Sequence, residues 1–304
     1  VVVVWRCVWG AVAIRCPGHC CAYDRRVELT ESWKRVIPEE LHDRYRFVET
    51  RNAATNFAAA HPLEFDEMVQ VLAAFRIDVD RIVRPGGSKH LIAAELDEAF
   101  REFGWREARY DQSLRTRLVL QPYHRVGEVG ETVRESLNEY SGHKIDNVKG
   151  RVGLDVEWNP KDGNLDRDFG NFRALYEGGA LDVGVILTRM AEGMRSLWVD
   201  TIATAKTLDV SGTPTFAARL DKTPDDPLGT STTSNFEKLV PRIERGDGGG
   251  CPILAVAITE RCFVEPADLL HGLEQLAANV EAGVETVRMA TRMGLLDDES
   301  GSGS

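Results

Sequence analysis

The sequence predicts an α/β fold, a central mixed β-sheet flanked by helices. Three observations carry this. Two continuous apolar runs, LDVGVILT (181–188) and PILAVAI (252–258), have the length and residue types of strands buried on both faces. An alternating stretch, RVGLDVE (151–157), and a helical one, LDRDFGNFRALYEGG (165–179), precede the first run, and strand, helix and strand at this spacing make a parallel crossover unit. Amphipathic helical patterns fill much of the remainder.

From Thr30 to about Phe103 the signals are helical. FDEMVQVLAAFR (65–76) puts Phe65, Met68, Val69, Leu72 and Phe75 on one face, and HLIAAELDEAF (90–100) repeats the pattern after a break at Pro85-Gly86-Gly87. WREARYD (105–111) and RTRLVL (115–120) read as strands that can pair with each other. GEVGETVRESLNEYSG (127–142) reads as a helix with Val129, Val133, Leu137 and Tyr140 as its apolar stripe and Gly142 as its stop. In the helix 165–179, Asp166 and Asp168 stand in the first turn, where the dipole favours them. SLWVDTIATAKTL (196–208) is a further helix, and 211–235 is a long irregular region rich in Pro, Ser and Thr. NFEKLVPRIERG (235–246) is helical, with Pro241 expected to bend it or confine it to two turns. A last amphipathic helix covers 266–290, and no internal repeat is evident.

The 304 residues are 43% apolar and 28% charged, an ordinary globular composition with enough length for a real core. The net charge of −11 argues against a protein that coats nucleic acid non-specifically. It leaves room for a local basic cleft, because phosphate contacts need only a handful of Lys and Arg. No apolar window is long enough to span a membrane; VVVVWRCVWGAVAI at the start is too short and is interrupted by Arg6. No basic segment precedes it, so it is a poor signal peptide, and a cytoplasmic protein is expected. Cys7, Cys16, Cys20 and Cys21 crowd the start while Cys251 and Cys262 are solitary, which is not a disulfide framework. CPGHCC offers Cys16, His19, Cys20 and Cys21 as zinc-ligand types, but paired CxxC knuckles are missing and adjacent cysteines chelate one ion awkwardly. Residues 1–24 are therefore expected to be an extension outside the fold, and the linker-like end, 296–304, a disordered tail.

HKIDNVKGRVGLDVEWNPKDG (143–163) places charge in apolar-patterned sequence. Val152, Leu154 and Val156 share one face of a strand; Arg151, Gly153, Asp155 and Glu157 share the other. Asp155 and Glu157 have Cα atoms about 6.5 Å apart on that face. Asp146, nine residues before Asp155, can converge on them from the neighbouring strand or turn. Three carboxylates at one spot repel unless a cation holds them, and Mg²⁺ is the natural cation for oxygen-only ligands. It leaves water sites open, and such a water can become the nucleophile for a phosphodiester. A D-x-E on a strand is often only the solvated face of an edge strand. This one precedes a crossover helix and a buried strand, which argues for a central strand, where charge is costly unless used.

The run from Asp146 through LDVEWNPKDGNLDRDFGNFRALYEGGALDVGVILTR resembles the PD-(D/E)xK nuclease core of the BglII-type type II restriction endonucleases, and TSTTSNFEKLVPRIERGDGGGCPILAVAI (230–258) resembles the same family. The resemblance covers roughly residues 120–260. It implies a restriction-endonuclease-like sheet, with Asp146 in the first acidic position, Asp155 in the second and Glu157 where the broad superfamily has lysine. BglII-like and BamHI-like enzymes also lack that lysine, so Glu157 fits this branch; a second metal ion or a shared water then remain as ways to activate the attacking water. The resemblance also implies an acid on the helix before the motif. Glu128, Glu131, Glu135 and Glu139 form a stripe there that is mostly solvated surface, and Glu131 or Glu135, Glu131 first, is expected to assist.

In the same resemblance the segment after the catalytic strand reaches the major groove, which makes Asn159 and Lys161 candidate DNA contacts; for Asn159 a plain turn is the competing reading. Thr230 to Asn235 is a run of small polar residues, so Thr232, Thr233, Ser234 and Asn235 are candidates to touch phosphates and bases, against a plain surface loop. Arg173, Arg189 and Lys238 are candidates to neutralise phosphates, although each alone reads more simply as a surface charge. The expected organisation is one endonuclease domain over 25–295, with a helical part (25–105), a catalytic core (106–260) and the C-terminal helix (266–290). The implied function is Mg²⁺-dependent cleavage of double-stranded DNA at a short palindrome, with a GATC-centred site as the guess. The implied partners are a second copy in a homodimer and a methyltransferase that acts on the same site without a stable complex. The competing readings are a repair nuclease with this core and a DNA-binding homologue that no longer cuts. A carboxylate-pair glycosidase lacks an aromatic platform for sugars.

Overall fold

The computed structural model describes residues 27–85, 91–159, 161–229, 233, 235–264, 266–284 and 289–295. The cysteine-rich start and the final tail lie outside them. The described strands are β1 (Leu29–Thr30), β2 (Tyr45–Thr50), β3 (Arg106–Leu120), β4 (Thr132–Lys149), β5 (Val152–Val156), β6 (Val183–Arg189) and β7 (Ile253–Ile258). They form one sheet ordered β1-β2-β7-β6-β5-β4-β3. β5, β6 and β7 run parallel; β4 pairs antiparallel with β5, and β2 antiparallel with β7. The sheet is thus mixed, as the sequence predicts. The helices before β3 are α1 (Trp33–Val36), α2 (Glu39–His42), α3 (Ala53–Ala60), α4 (Pro62–Ala74), α5 (Val79–Val83) and α6 (Leu91–Glu102). After β5 come α7 (Asp162–Glu177), α8 (Glu192–Ala205), α9 (Pro214–Asp221), α10 (Phe236–Arg245), α11 (Leu269–Glu281) and α12 (Met289–Arg292). Among the described residues no helix is long and apolar enough to cross a membrane.

Every residue of β5, β6 and β7 is buried, which is why two of these strands read as continuous apolar runs. One face of the sheet, with Val152, Leu154, Val156, Val185, Leu187 and Val256, packs on Phe65, Met68, Leu96, Phe100 and Trp198 of α4, α6 and α8. The other, with Ile186, Ile253, Ala255 and Ala257, packs on Leu165, Phe169 and Phe172 of α7 and Leu239 and Ile243 of α10. Gly153 and Gly184 lie opposite each other in the β5–β6 register, and a Cβ on either would stand within 3.0 Å of the Phe172 ring. These two glycines let α7 lie close on β5 and β6. A smaller cluster joins Val83, Ala205, Phe216, Leu220, Leu273 and Leu276.

The structure corrects several expectations. The segment expected as a helix over 127–142 forms most of β4, paired with β3 from Leu120↔Thr132 to Arg106↔Val148. Its apolar stripe buries nothing: Val129, Val133, Leu137 and Tyr140 are all exposed. An i, i+4 pattern describes a helix only when a core lies beside it, and here the ladder offered by the preceding strand wins. The two short strands expected over 105–120 are one strand whose partner is β4. The helical N-terminal part also supplies β2, with Tyr45, Phe47 and Glu49 turned inward. The irregular region 211–235 contains α9, and α10 continues through Pro241. The last helix, expected over 266–290, ends at Glu281, just before Gly283 at φ 69°.

Candidate active site

The site forms where β4 and β5 part. Their ladder ends at Asn147↔Leu154. One step further, carboxylates replace it: the Asp146 N–H donates to Asp155 Oδ1 at 2.9 Å, and the Val156 N–H donates to Asp146 Oδ2 at 3.2 Å. A bulge in β4 sets this up, because the register with β3 shifts between Arg106↔Val148 and Ala108↔Ile145, across Asp146 and Asn147. The extra residue breaks the alternation, so neighbouring side chains are re-aimed. Asp146 meets Asp155, while the Asn147 Nδ2 donates to Asp97 Oδ1 of α6 at 2.9 Å.

Asp155 is 3% exposed and shares its sheet face with α7. Asp168 comes to the same place from α7 and is 2% exposed. The helix starts at Asp162, so Asp168 is in its second turn, facing the sheet between Leu165 and Phe172, and not in a dipole-favoured first turn. Asp166 does face outward and pairs with Arg242 at 2.7 Å. Burial, then the charges of Asp168 and Asp146, push the Asp155 carboxyl well above its ordinary range. Burial and the neighbouring Asp168 and Asp155 charges raise Glu157 to about 9. Burial raises Asp168 too, against a hydrogen bond with Glu157 and the nearby Arg167 and His143. These carboxyls cannot all ionise together without a compensating cation.

Among the described residues, no three acidic, histidine or cysteine side chains already meet as a metal centre. The donor set nonetheless fits a divalent cation. Asp155 Oδ2 and Asp168 Oδ2 are buried and have no hydrogen-bond partner, and all donors here are oxygen, as a hard cation requires. Asp155 and Asp168 are the residues that would hold it, with Glu157 beside them.

The structure brings Asp146, Asp155 and Glu157 together, and adds Asp168. It does not bring the glutamate stripe. Glu131 is exposed at the tip of the β3–β4 hairpin and accepts from Gln121 Nε2 at 3.1 Å. Glu135 pairs with Arg115 at 2.7 Å, and Glu128 accepts from the Tyr123 N–H at 2.8 Å. Extended chain puts Glu131 about 50 Å along the strand from Asp146. The additional acid at the fork, Asp168, stands on the helix after the motif. Its one signal in the sequence was a three-to-four-residue spacing with Leu165 and Phe172, which marks Asp168 as facing the core.

Of the candidate DNA contacts, Asn159, Lys161, Thr233 and Asn235 gather beside the site. Lys161 and Thr233 form an isolated antiparallel bridge, and Lys238 Nζ donates to the Thr233 carbonyl at 2.9 Å. Asn235 caps α10 by accepting from the Lys238 N–H at 3.1 Å. Thr232 and Ser234 lie outside the described residues. Arg189 is not a surface phosphate contact: it is 1% exposed and holds Asn159 and the main chain of Trp158. Arg173 pairs with Glu177 on the surface of α7.

No curated protein matches the chain. The family model for restriction endonuclease BglII/BglIII matches residues 45–258. That span runs from the first residue of β2 to the last of β7 and contains the forked strands, α7 and the bridge to Thr233. The fold is accordingly a restriction-endonuclease-like core, and with the match covering most of the chain, the protein belongs to the BglII/BglIII restriction endonuclease family, type II restriction endonucleases that act on DNA.

Proposed function

We propose that this protein hydrolyses both strands of DNA at a short palindrome, with Mg²⁺ as its cation, as the cutting half of a restriction–modification pair. The observation that carries the reading is the fork: buried carboxylates at the end of a central strand, two with unpartnered oxygens. Such an arrangement is costly in a fold and is explained by a cation. Bound there, Mg²⁺ supplies positive charge to the scissile phosphate and makes ionised carboxyls affordable. Asp155 and Asp168 hold it. Asp146, tied to the Val156 N–H, keeps the fork at fixed width. Glu157 holds a proton when the cluster is alone and becomes a base for the attacking water once ionised. Asn159, Lys161, Thr232, Thr233, Ser234 and Asn235 meet the DNA, with Lys161 on phosphate and the amides and hydroxyls on base edges.

A palindromic site calls for a homodimer whose two-fold axis matches that of the DNA. The product is then a double-strand break with 5′ overhangs, and a GATC-centred sequence is the reading of the site. The host keeps its own DNA intact through a methyltransferase acting on the same sequence, and enzyme and DNA meet in the cytoplasm. The test is incubation of the purified protein with unmethylated phage DNA, in Mg²⁺ and separately in EDTA. Discrete fragments only in Mg²⁺ are expected, and their ends give the site. A smear would replace the reading with a non-specific nuclease, and binding without cleavage with a homologue that has lost its chemistry.

A further inference from the structure

We infer that Arg189 fixes the polarity with which Asn159 meets DNA, leaving Asn159 a hydrogen-bond donor only, so that it reads an acceptor on a base edge. The inference rests on the DNA-cleaving function proposed above and adds which atoms are read.

The end of β6 holds the segment that follows the catalytic strand, residue by residue. The Glu157 N–H donates to the Leu187 carbonyl at 2.8 Å, and Thr188 Oγ1 donates to the Glu157 carbonyl at 2.8 Å. Arg189 Nε donates to the Trp158 carbonyl at 3.0 Å, and Nη1 to the Met190 carbonyl at 3.1 Å. The single Nε–H is shared with Asn159 Oδ1, at 2.9 Å, and Nη2 donates to the same oxygen at 2.7 Å. A guanidinium has no acceptor, so the amide cannot turn its NH₂ toward Arg189. A carbonyl oxygen has two lone pairs, and both are taken. What Asn159 has left to offer is Nδ2.

Arg189 is a costly residue to keep for packing alone. It is 1% exposed and lacks an ion-pair partner among the described residues; Glu237, the acid that acts on it electrostatically, accepts instead from the Ala191 N–H at 3.0 Å. A buried cation held only by carbonyl oxygens keeps much of its desolvation cost, and what it returns is the fixed placement of those oxygens. Leucine or methionine would fill the space without fixing anything.

Asparagine commonly reads adenine with two bonds, giving N–H to N7 and accepting from N6. The Arg189 lock removes the second bond. The atoms left for Asn159 are major-groove acceptors: purine N7, guanine O6 or thymine O4.

The experiment uses a short duplex carrying the site read from the phage fragment ends, with binding measured in Ca²⁺ and cleavage in Mg²⁺. Asn159→Asp keeps the bonds to Arg189 and replaces the outward donor with an acceptor. Its thermal midpoint should equal or exceed that of the wild type, while binding to the site falls about 5- to 100-fold. Duplexes that lose one major-groove acceptor at a time (7-deazapurines, 2-aminopurine for guanine, a pyrimidinone for thymine) should include one that weakens wild-type binding to the same degree and costs Asn159→Ala nothing further. Removing adenine N6 should show no such coupling. Arg189→Lys keeps the charge but cannot hold both lone pairs, so discrimination against one-base variants should fall more than kcat does. Asn159→Asp binding and cutting like wild type, or coupling between Asn159 and adenine N6, would overturn the inference while wild-type cleavage left the proposed function standing. A wild-type protein that cuts nothing would remove both.

Discussion

Replacing Asp155 with alanine takes away a carboxylate that sits 3% exposed between two others. The Asp146 N–H loses its acceptor, worth about 1–3 kcal/mol, but repulsion from Asp146 and Asp168 goes with it. The fold should survive. Cleavage should fall about 1,000-fold or more, because the cation that Asp155 is proposed to hold supplies several kcal/mol of transition-state stabilisation. Binding in Ca²⁺-free buffer should hold or tighten, since a negative charge facing the phosphate is gone. A plasmid cleavage time course beside a gel-shift titration separates the two effects. An Asp155→Ala protein that cuts at the wild-type rate would end the assignment of the fork as the active site. Asp146 and Asp155 were legible from spacing and alternation. Asp168 was legible as a core-facing helix position but not as a partner, because only the packing of α7 on Gly153 and Gly184 brings it to the fork.

At the scale of elements, Glu49 of β2 is fully buried, and its carboxylate takes the Ser32 N–H, the Trp33 N–H at 3.2 Å and the Ala54 N–H at 2.7 Å. It therefore ties the N-termini of α1 and α3 to the sheet, where the helix dipoles favour an anion. Glu49→Ala should destabilise the protein by about 2–5 kcal/mol, read from denaturant midpoints, and Glu49→Gln by less. The β3–β4 ribbon is the opposite case. No residue from Gln112 to Lys144 is buried, and Arg115 and Arg117 share Glu135 on the surface. Shortening the ribbon by joining Leu114 to Asn138 through a two-glycine turn should leave the thermal midpoint of the isolated chain within about 3 °C of its original value. A larger drop would mean that the ribbon packs on the core more tightly than its exposure allows. The helix expected here shows the limit of local patterns: the stripe of Val133, Leu137 and Tyr140 is real, but a ladder with β3 forms without using it.

At the scale of the whole molecule, the acid cluster ties stability to pH and to cation. Glu157 titrates at about 9 in the fold against the ordinary carboxyl range when unfolded. The folded state therefore binds more protons between those values. Its contribution is full below the ordinary carboxyl pKa and is lost as pH rises through about 9. Asp155 and Asp168, also raised, act in the same direction. In EDTA the thermal midpoint should fall as pH goes from 5 toward 9, and added Mg²⁺ should raise it most at the alkaline end. Asp155→Asn should flatten the EDTA profile. A midpoint in EDTA that rises steadily with pH would contradict a buried, unneutralised cluster.

The sequence alone determined the parallel crossover β5–α7–β6 and the buried β7, and it offered Asp146, Asp155 and Glu157 as a candidate cluster. All of these rest on alternation, apolar runs and short spacings, which are local properties of the chain. It did not determine the ribbon, the sheet membership of β2, or the placements of Asp168 and Arg189. Each of these depends on a partner outside the element itself: β3 for β4, β7 for β2, the forked strands for Asp168, and Asn159 for Arg189 thirty residues away. Local periodicity reports which face of an element is apolar. Which element that face meets, and whether a charge upon it is solvated or used, is decided only when the sheet closes its register and the helices settle on it.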